Sequence, residues 1–259
     1  MFSIGNPPLH VLTAGAGPRV LLLHGIGSSA TSWQRQLARL GADYALIAPD
    51  LRGYGDSPDP AGPPVLDAVA DDLAALLAGA PAHIVGVSFG ALAALALARR
   101  HPKLVRSLVL SDTTLGRATL APAERAAWVE GRYALAAELQ TRAGERAREI
   151  AGPGTPDDVL AEIAANMRRA RPAGYRYVTD IIAATDALPW LATIAVPTLV
   201  VCGEHDSVVG FALSQTIAER IPGARLVTIP GAGHAPNVER PDEFAAAVRA
   251  FVDGVERPA

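Results

Sequence analysis

The chain has 259 residues, of which 50% are hydrophobic, 5% aromatic and 19% charged, with a formal net charge of −3. That length holds one sizeable domain, or one domain with an insertion, and the near-neutral charge excludes the basic footprint of a nucleic-acid binder. The same balance disfavours a strongly anionic substrate held by charge alone. A single cysteine, Cys202, cannot close an intramolecular disulfide, so the covalent chemistry demands no oxidising compartment. No apolar run reaches the roughly 18 residues of a membrane span, and no membrane partner is expected. The first residues lack the basic start and apolar core of a secretory leader, which predicts a cytoplasmic location.

Short apolar runs alternate with helical patterns, which predicts a mostly parallel sheet with helices on both faces. The strand candidates are 9–14, 19–23, 44–48, 82–87, 106–111, 196–202 and 224–229, with 31–40, 65–78, 88–100, 211–221 and 241–252 between or after them as helices. From about residue 115 to residue 190 the alternation stops, and alanine, arginine and glutamate dominate. This segment reads as a helical insertion. Pro122, the loop 151–156 and Pro172 punctuate it, predicting three or four short helices rather than one long one. The organisation expected is therefore a core formed by residues 1–114 and 191–259, interrupted by a cap over 115–190.

The most informative stretch is His83-Ile-Val-Gly-Val-Ser-Phe-Gly-Ala-Leu92, a strand that runs through Gly-x-Ser-x-Gly into an apolar helix. A serine on that turn presents its hydroxyl above the sheet, and Gly86 and Gly90 leave room where side chains would meet backbone. Ser88 is thus the candidate nucleophile; the competing reading is a serine that simply caps the following helix. A serine hydroxyl needs a base, and the base an orienting acid. Of the six histidines, His234 lies in Pro230-Gly-Ala-Gly-His-Ala-Pro236, a loop after the last strand that can return an imidazole over Ser88. His10, His83 and His101 lie on or beside core elements and read as structural, and His24 as a brace for its own turn. Asp206, in Gly203-Glu-His-Asp after an apolar strand, is the candidate acid, with Asp112 as its competitor after the preceding strand. Cys202 itself reads as a small buried hydrophobe.

His24-Gly-Ile-Gly27 ends an early strand with glycines that let backbone amides face a cavity. The amides of Ile26 and Phe89 are the candidate oxyanion donors. No phosphate-binding glycine pattern occurs there, and no third ligand accompanies His205 and Asp206, so neither cofactor nor metal is expected. Asp50-Leu-Arg-Gly-Tyr-Gly-Asp-Ser57 reads as a structural loop in which Arg52 and Asp56 satisfy local charge and backbone. Large side chains near the cap, Trp33, Trp128, Tyr133, Met167, Tyr175 and Trp190, are the candidates for substrate contact, although such residues also pack a cap onto its core. Arg132, Arg168, Arg169 and Arg176 read as solvated, unless one turns inward to pair with a substrate carboxylate.

Taken together, His24-Gly-Ile-Gly, Asp50-Leu-Arg-Gly-Tyr-Gly-Asp-Ser, Gly86-Val-Ser-Phe-Gly, Gly203-Glu-His-Asp and Gly233-His-Ala-Pro-Asn-Val-Glu-Arg-Pro241 resemble the α/β-hydrolase superfamily. Within it the chain looks most like small capped enzymes of the 3-oxoadipate enol-lactonase type. The resemblance implies a sheet of eight strands, or seven, with the first strand drawn from residues 2–4, and a helical cap over the catalytic edge. It also implies the chain order nucleophile, acid, histidine, which Ser88, Asp206 and His234 follow. The expected reaction is hydrolysis of an ester or lactone of a small, largely apolar molecule by water, through an acyl-enzyme. Two other readings stand beside it: a carbon–carbon bond hydrolase acting on a vinylogous diketone, and a non-catalytic ligand-binding protein on the same fold.

Overall fold

The computed structural model describes residues 2–4 and 8–257; the stretch read above for a leader falls largely outside them, as do the last two residues. Among the described residues, eight strands form one sheet. They are β1 (Phe2–Ile4), β2 (Leu9–Ala14), β3 (Arg19–Leu23), β4 (Ala45–Pro49), β5 (Ala82–Val87), β6 (Val105–Ser111), β7 (Thr198–Gly203) and β8 (Arg225–Ile229), in the spatial order β1-β2-β4-β3-β5-β6-β7-β8. β2 runs antiparallel to both β1 and β4, and the remaining pairs are parallel. The expected strands stand within two residues of their observed bounds.

Both faces of this sheet are covered, so its central strands are apolar throughout rather than alternating. Every residue of β5 is buried. On one face Val20, Leu22, Val85, Val87, Val109, Leu199 and Val201 meet Trp33, Leu40, Phe244, Val248 and Phe251 from α1 (Gln34–Leu40), the turn before it, and α9 (Pro241–Glu256). The other face presents the intervening residues, Leu21, Leu23, Ile84, Leu108, Leu110 and Val200, to α2 (Leu66–Leu77), α3 (Phe89–Arg100) and α7 (Phe211–Arg220). The period of two along each strand therefore divides the aliphatic content between two half-cores.

The segment between β6 and β7 carries α4 (Pro122–Ile150), α5 (Asp157–Arg168) and α6 (Pro172–Ala184). The expectation of only short helices is corrected at α4, which runs unbroken for 29 residues. The prolines mark its true start and its far limit, and nothing between them breaks a helix. Ala136, Leu139, Ala143, Ala147 and Ile150 form its single buried stripe, while Arg142 and Arg146 pair with Glu138, Glu145 and Glu149 three or four residues away. A short α8 (Pro236–Glu239) also forms where a loop was expected. No helix among the described residues is long and apolar enough to cross a membrane.

Close backbone approach at one crossing fixes how α3 lies on the sheet. A Cβ on Gly90 would stand 2.1 Å from the Leu23 carbonyl oxygen, and one on Gly86 2.5 Å from the Ala91 nitrogen. Gly131, inside α4, has open space around the same position. Gly90→Ala is expected to destabilise the protein by about 3 kcal/mol or to prevent folding, as overpacking against rigid backbone does. Gly131→Ala is expected to stabilise it by roughly 0.5–1 kcal/mol. Urea unfolding of the two variants checks the contrast.

Candidate active site

The site is carried by turns at the carboxyl-terminal ends of β3, β5, β6 and β7 and by the loop after β8. Between β5 and α3 the chain turns at Ser88, whose φ of 55° and ψ of −116° are a strained conformation for a residue with a side chain. Its amide donates to the Ser111 carbonyl at 2.9 Å, and its carbonyl accepts from Ala91 and Leu92 at 3.1 and 3.2 Å. The side chain makes no capping hydrogen bond to α3, so the hydroxyl is not used as a helix cap. Across the cleft, a Cβ on Gly25 would lie 3.2 Å from the Ser88 Cβ, which is why a glycine stands at the end of β3. The amides of Ile26 and Phe89 donate to no protein acceptor among the described residues.

Asp206 sits in the turn after β7, and its Oδ1 accepts from His234 Nδ1 at 2.9 Å, from the Val208 amide at 2.8 Å and from the Val209 amide at 3.3 Å. Burial alone would push this carboxyl up; the hydrogen bond and charge of His234, with the Val208 amide, outweigh it and hold the group below the usual carboxylate range. The His234 loop is wedged between the end of β7 and the last turn of α4. His234 donates its amide to the Ile150 carbonyl at 2.8 Å, and a Cβ on Gly203 would stand 1.9 Å from the Gly233 carbonyl oxygen.

One buried acid, which the sequence reading left aside, ties these pieces together. Glu239 Oε2 accepts from the Gly152 amide at 2.7 Å, the Gly233 amide at 2.9 Å and the Thr155 hydroxyl at 3.0 Å, while Oε1 accepts from the Ala235 amide at 3.0 Å. The carboxylate thus joins the loop that carries His234 to the loop between α4 and α5. Asp112 supplies a second buried carboxyl. Its Oδ1 accepts from the Gly203 amide at 2.9 Å and its Oδ2 meets the Ser111 hydroxyl at 2.7 Å. It lies beside Asp206 and His234 without bonding the imidazole; the acid that does so is Asp206. Burial pushes Asp112 up, the Asp206 charge adds to the shift, and the His234 charge and the bonds from Ser111 and Gly203 offset only part of it. Opposite directions follow for neighbouring acids: Asp112 keeps its proton under conditions where Asp206 has lost its own.

Two adjoining cavities, enclosing about 520 and 630 Å³ of space that includes open solvent at their mouths, both reach Ser88 and His234. Ile26, Gly27, Ile150 and Met167 line both. Of the large residues singled out for substrate contact, Trp33 and Met167 line the smaller cavity, and Trp128, Met167 and Tyr175 the larger. Tyr133 and Trp190 are not brought to either. Tyr133 donates to Asp180 at 2.6 Å on the flank of the cap, and Trp190 packs under Arg99 beside α2. Asn166 was missed; it lines the smaller cavity and accepts from the hydroxyls of Ser29 and Thr31. No local pattern in the sequence marks it, because its partners lie 135 and 137 residues away.

The remaining histidines have other work. His24 places Nδ1 2.9 Å from its neighbour's carbonyl and accepts the Leu51 amide on Nε2 at 3.0 Å; burial lowers its pKa, and it braces the turn as expected. His83 lies between Ser107, at 2.8 Å, and Glu256, at 3.0 Å, at the amino-terminal end of β5. The atom types resemble a serine–histidine–acid relay, yet His83 and Ser107 are fully enclosed and at the end of the strand away from Ser88, so this chain is structural. In the 50–57 loop the organising acid is Asp50, which accepts from the Ala30 amide at 2.7 Å, His10 at 2.7 Å and the Asp56 amide at 3.0 Å. Arg52, read above as serving its own loop, instead pairs with Asp72 on α2. Among the described residues, two groups bring three ligand-type atoms within 4.8 Å of one another, His10 with Asp50 and Asp56, and Asp112 with Asp206 and His234. In each, the histidine Nδ1 is already engaged by an aspartate.

Sheet, cap and site together define a capped hydrolase of the α/β type. The chain matches the model of the alpha/beta hydrolase family over residues 20–247, and it belongs to that family. It is 35% identical over 248 residues to pimeloyl-[acyl-carrier protein] methyl ester esterase from Neisseria meningitidis serogroup C, a match covering 92% of this chain and 94% of that protein. A 3-oxoadipate enol-lactonase 2 from Acinetobacter baylyi is 30% identical, with 91% and 88% covered. A thermophilic esterase from Thermogutta terrifontis, solved with malate bound, superposes with a TM-score of 0.87 at 28% identity over 96% of this chain and 94% of that one. The protein is accordingly a hydrolase of ester or lactone bonds.

Two variants test the buried acids. Glu239→Gln sets an amide NH₂ against backbone donors and is expected to lower stability in urea by roughly 2–4 kcal/mol. For Asp112, a native pKa above the unfolded value of roughly 4 means that its contribution to stability is full below that pH. The contribution is lost as pH rises through the raised native value. Asp112→Asn has no such loss, so the difference in Tm between variant and wild type is expected to grow in the variant's favour from pH 4 to pH 8. A flat difference across that range would show that Asp112 ionises normally.

Proposed function

We propose that Ser88, His234 and Asp206 carry out hydrolysis through an acyl-enzyme, and that the Ile26 and Phe89 amides receive the oxyanion. The observation that carries this reading is the His234–Asp206 hydrogen bond, set beside a strained serine at the junction of two cavities. With Nδ1 held by Asp206, His234 is left with Nε2 to take the Ser88 proton as Oγ attacks the carbonyl carbon. The carbonyl oxygen gains negative charge, which amide donors stabilise. As the tetrahedral species collapses, the leaving alcohol takes the proton from His234. Water then repeats the attack on the acyl-enzyme, releasing the acid and restoring Ser88.

Esterase and lactonase names among the relatives support a carboxylic ester or lactone as the bond attacked. Trp33, Met167, Trp128 and Tyr175 are the ring and thioether surfaces offered to the substrate within the cavities, and we assign the cap role to residues 115–190, with 1–114 and 191–259 as the core. Cys202 is no rival nucleophile, since burial pushes its thiol up to about 11. We assign the protein to the cytoplasm, a compartment in which the unpaired thiol of Cys202 stays reduced.

Ser88→Ala is expected to lower hydrolysis of a short-chain p-nitrophenyl ester by at least a thousandfold while leaving the unfolding midpoint near that of the wild type. A fluorophosphonate probe is expected to label the wild type and not the variant, as read by intact mass. Turnover like that of the wild type in the variant would remove Ser88 from the chemistry.

A further inference from the structure

The two cavities that meet at Ser88 differ in charge. The smaller is walled by Trp33, Ile163, Met167 and Val238, with no lysine or arginine in its lining. The larger contains Arg117, Arg132 and Arg146. Arg146 has an acidic partner, Glu149 at 2.8 Å. Arg117 and Arg132 have none within 4.0 Å among the described residues.

These two guanidinium groups are held, not trailing in solvent. Arg132 donates to the Tyr175 hydroxyl at 3.0 Å. Its guanidinium lies 5.2 Å from the centre of the Trp128 ring, and that of Arg117 lies 5.7 Å from the same centre. One indole therefore gathers two positive charges at the mouth of a cleft that ends on Ser88 and His234, and both groups are part-buried. Elsewhere on the same helix the pattern is different: Arg142 faces outward and is paired with both Glu138 and Glu145. An anion entering this cavity would meet two guanidinium groups that have no acidic partner, and the forked, planar N–H donors of a guanidinium suit a carboxylate.

We infer that the lobe formed by Arg117, Trp128, Arg132 and Tyr175 is a carboxylate subsite, and that the protein's substrate is an ester or lactone carrying a free carboxylate on one side of the scissile bond. The remainder of the substrate is apolar, matching the smaller cavity. This inference rests on Ser88 and His234 being the reacting groups. It is compatible with the expectation, drawn from net charge, that no strongly anionic substrate is held by charge alone, and it takes Arg132 as the arginine that turns inward: a chain of net charge −3 still concentrates three arginines in one cavity.

The test compares three esters of similar size. They are p-nitrophenyl butyrate, the mono-p-nitrophenyl ester of glutaric acid, with its carboxylate on the acyl side, and 3-carboxyphenyl butyrate, with its carboxylate on the leaving group. Each phenyl ester is corrected for its own rate in alkaline solution. At low salt the wild type is expected to favour at least one anionic ester over the neutral one by tenfold or more in kcat/KM, mainly through KM. Arg117→Met and Arg132→Met are each expected to reduce that ratio by about tenfold, the loss of one charge-assisted contact. Arg142→Gln, on the outer face of α4, is expected to leave it unchanged. Equal or lower activity on both anionic esters in the wild type overturns the subsite while the hydrolase reading stands. Failure on all three esters, together with failure of Ser88 to react with a fluorophosphonate, overturns the reading beneath it as well.

Discussion

The site depends on a steric constraint at the crossing of α3 and the sheet. The chain must leave β5, reverse within one residue and start a helix whose second residue lies against the Leu23 carbonyl. Only glycine fits at Gly86 and Gly90. With both ends of the turn pinned, Ser88 is left in a backbone conformation it would not choose, and the strain is offset by hydrogen bonds to Ser111 behind it and to Ala91 and Leu92 ahead of it. The same tightness brings the end of β3 close, so Gly25 and Ile26 arrive beside Ser88 without any contact made for that purpose. A looser crossing would let the serine relax into an ordinary helix cap and turn its hydroxyl toward its own backbone.

Buried carboxyl groups do the rest of the positioning, and each is made tolerable in a different way. Glu239 accepts backbone amides and the Thr155 hydroxyl, and Asp50 accepts two backbone amides and the His10 ring; among the described residues neither carboxyl group meets an arginine or a lysine. They act as rigid acceptors for loops that have no strand or helix to join. Asp206 is held ionised by an imidazole and two amides, while Asp112, a few ångströms away, is pushed toward neutrality. Asp206 Oδ2 is buried and has no partner among the described residues. A protonated Asp112 beside it is the group able to donate there, which gives the shift at Asp112 a structural consequence as well as a cause.

Much of this was legible in the sequence because it is local. The run from His83 to Leu92 contains the strand, the turn and the helix in one stretch, and the glycine-flanked loops around Asp206 and His234 announce themselves the same way. Strand positions followed from apolar runs bounded by turn residues. What was not legible depends on partners far apart in the chain. Glu239 sits in a polar stretch with nothing to show that its acceptors serve Gly152 and Gly233 at once. Tyr133 and Trp190 carry the same rings as Trp128 and Tyr175, and only tertiary packing, of α4 on α6 for Tyr133 and of the turn before β7 on α3 for Trp190, decides which of them faces a cavity. The long helix was misjudged for a related reason: proline punctuation bounds helices but says nothing of how far one runs between the marks.

Composition misleads at the cap in an instructive way. α4 is rich in alanine, arginine and glutamate, and over its outer surface these residues form the expected pairs within the helix. Trp128 and Arg132 stand one turn apart, however, and Leu139, Arg146 and Ile150 continue that line down the helix to the residue whose carbonyl receives the His234 amide. A single face of one helix therefore sets the ring, the charges, the apolar floor and the placement of the imidazole loop. With the site as proposed, a rotation or slip of α4 would disturb recognition and the histidine together, which makes the cap part of the reacting geometry as well as its roof. That coupling accounts for the concentration of glycine contacts where α4 ends: Gly152, Gly203 and Gly233 each lie so close to opposing backbone that the three segments have little room to move independently.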